Sequence, residues 1–282
     1  MIVLLNGKFV PEEQAVVSVF DRGFLYGDGL FETVRISNGR LFRWPQHLAR
    51  LQRGADFLKF RLPHPGDQLA NWAQELARAN GLSDCLLRLN LSRGTGPRGY
   101  SPRGADNPTL VMTTHPLGEA HPQTPPIWSV VTSSVRLPAE DPLAHFKTSN
   151  KLAQILARSE ADALGADEAL LINTDGHVVE GSSSNLFWIQ ERRICTPRIE
   201  AGILPGVTRE VIFELATNLG CEIVEAEITP QQLTEAEGIF LSVTSAGIIE
   251  CDRSDGVALR RSPLSHALQT AYRELLAAET HR

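Results

Sequence analysis

The sequence predicts an α+β protein. Strand-like and helix-periodic runs mix along the chain without the regular strand–helix–strand alternation of a doubly wound parallel sheet. Two Asn-Gly pairs, Asn6-Gly7 and Asn38-Gly39, sit between strand-like runs and mark tight antiparallel hairpins. Several amphipathic helices stand between the strands, and no internal repeat suggests a solenoid.

In chain order, MIVLLNGKFVPEE reads as strand, turn and strand. SVFDRGFLYGDGLFETVRISNGRLF reads as strand-like runs parted by glycine-rich turns. PQHLARLQRGADFLKF places His47, Leu48, Leu51, Ala55 and Leu58 at helical spacing, and GDQLANWAQELARANG is a second helix closed by Gly81. CLLRLNLSRG and PTLVMTTHP are strands flanking the loop GTGPRGYSPRGADN. Proline and polar residues in HPLGEAHPQTPP suggest a linker over 117–126, between a domain at 1–116 and a larger one at 127–282. In the second domain, IWSVVTSSVRL, EALLINTDG, HVVEG, NLFWIQ, RICTP, CEIVEAEI and GIFLSVTSAG read as strands. SNKLAQILARSEADALG, TREVIFELATNLG and SPLSHALQTAYRELLAAET read as helices, with Ser149 or Asn150 capping the first and Ser262 the last.

Composition narrows the function. A net charge of -6 argues against a nucleic-acid binder. No run approaches the ~18 apolar residues of a membrane span, and the N-terminal run is too short and lacks the basic start of a signal peptide. Cys85, Cys195, Cys221 and Cys251 are scattered, so no zinc site is expected and the thiols read as reduced, in a cytoplasmic protein.

The chemistry centres on Lys147 and Glu180. A lysine just ahead of a helix can become a nucleophile toward an aldehyde, because the helix start disfavours the ammonium form. Lys151 is its rival, and spacing alone does not choose between them. A carboxylate at Glu180 could hold the proton of a pyridine ring, which suits pyridoxal phosphate (PLP); an edge-strand glutamate facing water is the plain alternative. Gly206, with Val207 and Thr208 in the first turn of a helix, offers backbone N–H groups to a phosphate. Thr244 and Ser245 in TSAG add hydroxyls, and Arg50 adds charge unless it is an ordinary exposed helix arginine. Arg93, Arg98 and Tyr100 lie on a glycine-rich loop able to meet a substrate carboxylate. GSSSN does not match a serine-hydrolase elbow.

Taken in order, HLARL, FKTSNKL, VVEGSSSNLF and GILPGVTR resemble the class IV aminotransferases, the fold-type IV PLP enzymes, from DRGFLYGDGLFE through TSAGI. The resemblance implies a D-amino-acid aminotransferase-like fold, with a small α+β N-terminal domain and a larger C-terminal domain with a barrel-like sheet. It also implies a homodimer acting on a small amino or keto acid. Lys147 is then the Schiff-base lysine, which settles the contest with Lys151, and Glu180 is the pyridine partner. Arg50, Val207, Thr208 and Thr244 look like phosphate contacts, and Tyr26 and Phe31 resemble substrate-pocket residues. Arg98 resembles a carboxylate-binding arginine, and Tyr100 falls where the D-amino-acid enzymes keep a histidine. RGTGPRGY is most similar to the loop of 4-amino-4-deoxychorismate lyases. The first expectation is therefore that lyase, which forms 4-aminobenzoate and pyruvate. A D-amino-acid or branched-chain transaminase is the alternative.

Overall fold

Both Asn-Gly pairs fold as two-residue hairpin turns, with Asn6 and Gly7 at φ 49° and 80° and Asn38 and Gly39 at 49° and 73°. The computed structural model of the chain describes residues 1–117 and 126–281. The expected linker therefore lies, for 118–125, outside the described residues. The described residues form two compact units, the first made of 1–117, 146–150 and 276–281 and the second of the remainder.

The first unit contains β1 (Ile2–Leu5), β2 (Lys8–Pro11), α1 (Arg22–Tyr26), β3 (Gly29–Ser37), β4 (Arg40–Leu41), α2 (Trp44–Leu58), α3 (Gly66–Ala79), β5 (Cys85–Ser92) and β6 (Thr109–Pro116). Its strands form an antiparallel sheet in the order β2-β1-β6-β5-β3-β4. Strand β5 shows the period of two: Cys85, Leu87, Leu89 and Leu91 are buried and the residues between them half-buried. The buried set joins Leu51 and Ala55 of α2 and Leu69, Ala73 and Leu76 of α3 in one core. Truncating one of these leucines to alanine costs about 2–5 kcal/mol.

Residues 146–150 run beside β3. Phe31 N donates to Lys147 O at 2.9 Å, Ser149 N donates to Gly29 O at 2.9 Å, and Thr148 bridges to Leu30. This corrects the expected cap. Pairing holds the backbone extended through Ser149, and Asn150 Nδ2 turns to Gly27 O at 3.2 Å. The helix following Lys147 therefore starts at Leu152, with Lys151 at the cap position and no side chain capping it.

The second unit contains β7 (Ile127–Leu137), α4 (Leu152–Ala163), β8 (Glu168–Asn173), β9 (Val178–Gly181), β10 (Asn185–Gln190), β11 (Arg193–Thr196), α5 (Val207–Asn218), β12 (Ile223–Glu225), α6 (Pro230–Leu233), β13 (Gly238–Val243), β14 (Gly247–Ser254), β15 (Val257–Ala258) and most of α7 (Pro263–Thr280). Strand β9 pairs with β8 and back with β10, so β10-β13-β14-β7-β8-β9 close into a six-stranded ring, the expected barrel-like sheet. Leu170, Ile172, Leu186, Trp188, Ile239 and Leu241, alternate residues of three of its strands, form one core. Ala169, Leu171 and Val179 point the other way and pack with Ala157 and Ala161 of α4.

Candidate active site

In the first unit, Lys147 is half-buried, and its Nζ lies 4.6 Å from the centre of the Phe31 ring. The Arg88 guanidinium carbon lies 3.5 Å from the same ring. Burial pulls the Arg88 pKa down to about 10, against the opposing pull of Glu32.

Arg50 is buried, not an exposed helix arginine. Its Nε donates to Glu32 Oε1 at 2.8 Å and its Nη2 to Glu32 Oε2 at 2.7 Å, the paired geometry of an arginine–carboxylate fork. His47 Nδ1 lies 2.8 Å from Glu32 Oε2. Burial alone would raise the Glu32 carboxyl, but the charge and hydrogen bonds of Arg50, with the bond from His47, lower it to about 2. Burial lowers the His47 pKa against Glu32, and Arg50 and Lys147 push the same way. Sequence reasoning missed Glu32 and His47 as site residues. His47 and Arg50 are three apart on α2 and share a face, which spacing could have shown; their partner on β3 could not be found that way.

Tyr26 ends α1 half-buried, and its hydroxyl accepts from Gly99 N at 3.2 Å. Arg98 is exposed and Tyr100 is 87% exposed, both on the loop after β5; Arg93 is buried at the start of that loop.

In the second unit, Glu180 sits on β9, which has a neighbour on each side and is not an edge strand. Its Oε2 accepts from Leu204 N at 3.1 Å. The following turn is organised by Glu168, a fully buried carboxylate that the sequence reading did not single out. Glu168 accepts from Ser182 N at 3.2 Å, from the Ser182 hydroxyl, and from Ser183 and Ser184 Oγ at 3.1 and 3.3 Å. Gly206 is the cap residue of α5, and no side chain caps that helix. A Cβ on Gly206 would lie 2.0 Å from Asn185 Oδ1, so only glycine fits there without displacing Asn185. Val207 and Thr208 are buried in the first turn. Thr244 and Ser245 are half-buried in the short connection between β13 and β14. Ser242, near them on β13, has a buried hydroxyl with no hydrogen-bond partner in the protein.

Each unit by itself carries groups of the kind a phosphorylated pyridine aldehyde needs. The first has a lysine and a buried arginine. The second has a carboxylate, an orphaned hydroxyl, and a glycine-led helix start of the kind that binds phosphate.

A two-unit α+β chain with this residue set points to a PLP enzyme, and sequence comparison identifies the class. The profile of the amino-transferase class IV family matches residues 29–253, and the chain belongs to that family. It is similar to a putative branched-chain-amino-acid aminotransferase of Methanocaldococcus jannaschii, 37% identical over 260 residues, covering 91% of this chain and 88% of that protein. It is similar to the aminodeoxychorismate lyase of Bacillus subtilis, 29% identical over 285 residues, covering 99% and 96%. Among solved structures, the branched-chain aminotransferase of Thermoproteus uzoniensis, crystallised with norvaline, superposes with a TM-score of 0.92 at 31% identity, covering 99% of this chain and 95% of that one. The protein is a PLP-dependent class IV enzyme with the fold-type IV architecture.

Proposed function

We propose that this enzyme is an amino-acid transaminase, with a branched-chain amino acid as donor and a 2-keto acid as acceptor. The carrying observation is that the branched-chain relative matches more strongly than the lyase relative, and that the solved structure reported above is also of a branched-chain enzyme. These comparisons support the transaminase over the lyase expected from the RGTGPRGY loop. Tyr100, standing where D-amino-acid enzymes keep a histidine, weighs against a D-amino-acid donor.

In this reading Lys147 would hold the cofactor covalently. Arg50, the N–H groups of Val207 and Thr208, and the hydroxyls of Thr244 and Ser245 would hold its phosphate. Glu180 would keep a proton on the ring nitrogen. When bound, PLP supplies an electron sink for the bond broken at the substrate Cα. Once the substrate amine has displaced it from the cofactor, the freed Lys147 Nζ would take the proton from the substrate Cα and hold it for return on the product side. Tyr26 and Phe31 would line the substrate side, with Arg98 and Tyr100 toward the carboxylate. We also infer a homodimer, supported by Val16, Val19, Phe20 and Phe24, which are apolar and largely exposed on the approach to α1 and on α1 itself.

The test is a paired assay on one preparation. L-leucine, L-valine or D-alanine is offered with 2-oxoglutarate, and aminodeoxychorismate is offered alone. Amine transfer from the branched-chain donors, without pyruvate release from aminodeoxychorismate, is expected. Pyruvate release without amine transfer rejects the proposal, and sedimentation of the same sample as a monomer removes the dimer.

A further inference from the structure

The loop over residues 93–108 carries Arg98 and Tyr100 but has no helix or strand of its own. Three of its successive carbonyls are taken up by one buried side chain. Arg22, 3% exposed, donates from Nη1 to Gly99 O at 2.8 Å and to Ser101 O at 3.2 Å, and from Nη2 to Tyr100 O at 3.1 Å. Its Nε donates to Asp28 Oδ2 at 2.8 Å, and that same oxygen accepts from Arg93 Nε at 2.8 Å. Burial by itself would raise the Asp28 carboxyl, but the hydrogen bonds from Arg93 and Arg22 outweigh it and hold the group below its usual range. Asp28 thus stays charged between two buried guanidiniums.

The loop is shaped to meet this fork. Three successive carbonyls converge on one guanidinium because the backbone curls at Gly99, whose φ of 107° suits glycine and strains other residues. At the base, Gly94 approaches Asn107 so closely that a Cβ would lie 1.8 Å from its carbonyl oxygen. The rings of Tyr26 and Tyr100 meet edge to face with centroids 5.5 Å apart. A lysine at position 22 could not reproduce the arrangement. An ammonium is a point donor, whereas the guanidinium fork reaches Asp28 with Nε and three carbonyls with its two Nη groups.

We propose that Arg22 is a positioning residue for substrate selection: it fixes the 93–108 loop and thereby sets where Arg98 and Tyr100 stand. This rests on the reading above that the loop meets the substrate. Arg22 touches neither substrate nor cofactor in this scheme. Its loss should weaken ground-state and transition-state binding alike, raising KM and leaving kcat nearly unchanged.

The experiment uses PLP-loaded Arg22→Lys, Gly99→Ala, the double variant and Arg98→Ala, with L-leucine and 2-oxoglutarate. For Arg22→Lys, the KM for leucine should rise about tenfold, as expected for losing part of a hydrogen-bonded cluster. PLP affinity, read by fluorescence titration, should not move, and trypsin should cut after Arg98 faster. Gly99→Ala should act in the same direction, and the double variant should be little worse than the poorer single, since both disturb one contact. Unchanged KM in Arg22→Lys and Gly99→Ala, or a fall in kcat at constant KM, overturns the proposal. If Arg22→Lys does not fold, Gly99→Ala decides alone. A KM shift in Arg98→Ala without one in the Arg22 and Gly99 variants defeats this inference and leaves the transaminase reading standing. No shift in any variant defeats the substrate role of the loop, and this inference with it.

Discussion

Glu32 has almost no contact with water, and it keeps its charge because Arg50 and His47 both reach it. The linkage has one direction for both titrating members. The Glu32 carboxyl lies at about 2 in the fold against an ordinary 4.5, so its stabilising contribution is full above 4.5 and is lost as the pH falls toward 2. The His47 pKa is also depressed from 6.5, so its neutral form supports the fold above 6.5 and the contribution erodes as the pH falls below that value. Glu32→Gln takes the carboxylate away from the buried Arg50 guanidinium and should destabilise by about 3–5 kcal/mol near neutral pH. Denaturant unfolding of both proteins between about pH 7 and about pH 3 checks this. The gap should narrow in the acid range; a gap that stays constant with pH would show that Glu32 is not the titrating partner. At this scale the sequence exposed the types and their order. Lys147, Glu180 and Arg50 could be singled out as candidates because their motifs are local. The burial of Arg50 was not legible, because its partner lies on another element.

Elements built on local rules were read well. The two hairpins follow from Asn-Gly turns, and α2, α3, α5 and α7 from helical spacing; Leu264 N donates to Ser262 Oγ at 3.3 Å, as the expected cap requires. Helix α1 was missed because five residues are too few to show a period, although Asp21 accepts from Gly23 N at 2.7 Å and Gly27 ends the helix at φ 67°. The start of α4 was misplaced because pairing of residues 146–150 with β3 is not written in local sequence. The entry to α5 yields a prediction. Gly206 has φ -74°, which any residue adopts, so the constraint on it is space. Gly206→Ala pushes on Asn185, whose Nδ2 donates to Leu204 O at 2.8 Å, and overpacking of this kind costs about 1–3 kcal/mol. The variant should bind PLP more weakly while its affinity for pyridoxal, which lacks the phosphate, stays level. Equal weakening toward both would remove the helix start from phosphate binding.

For the whole molecule, the α+β class and the family were legible, since motif order along the chain is a linear property. The barrel-like sheet came with the family resemblance, but the strand pair that closes it, β9 with β10, was not legible, because it depends on a pairing across the turn organised by the buried Glu168. Substrate choice was the weakest reading. One loop favoured a lyase, whereas similarity over nearly the full chain favours a transaminase. Everything proposed for the reaction depends on which amine carries the cofactor. Borohydride reduction of the PLP-loaded enzyme, followed by peptide mass spectrometry, should place the pyridoxyl group on Lys147 and find none after Lys147→Ala. Label on Lys151, or label that persists in the Lys147→Ala protein, would contradict the assignment.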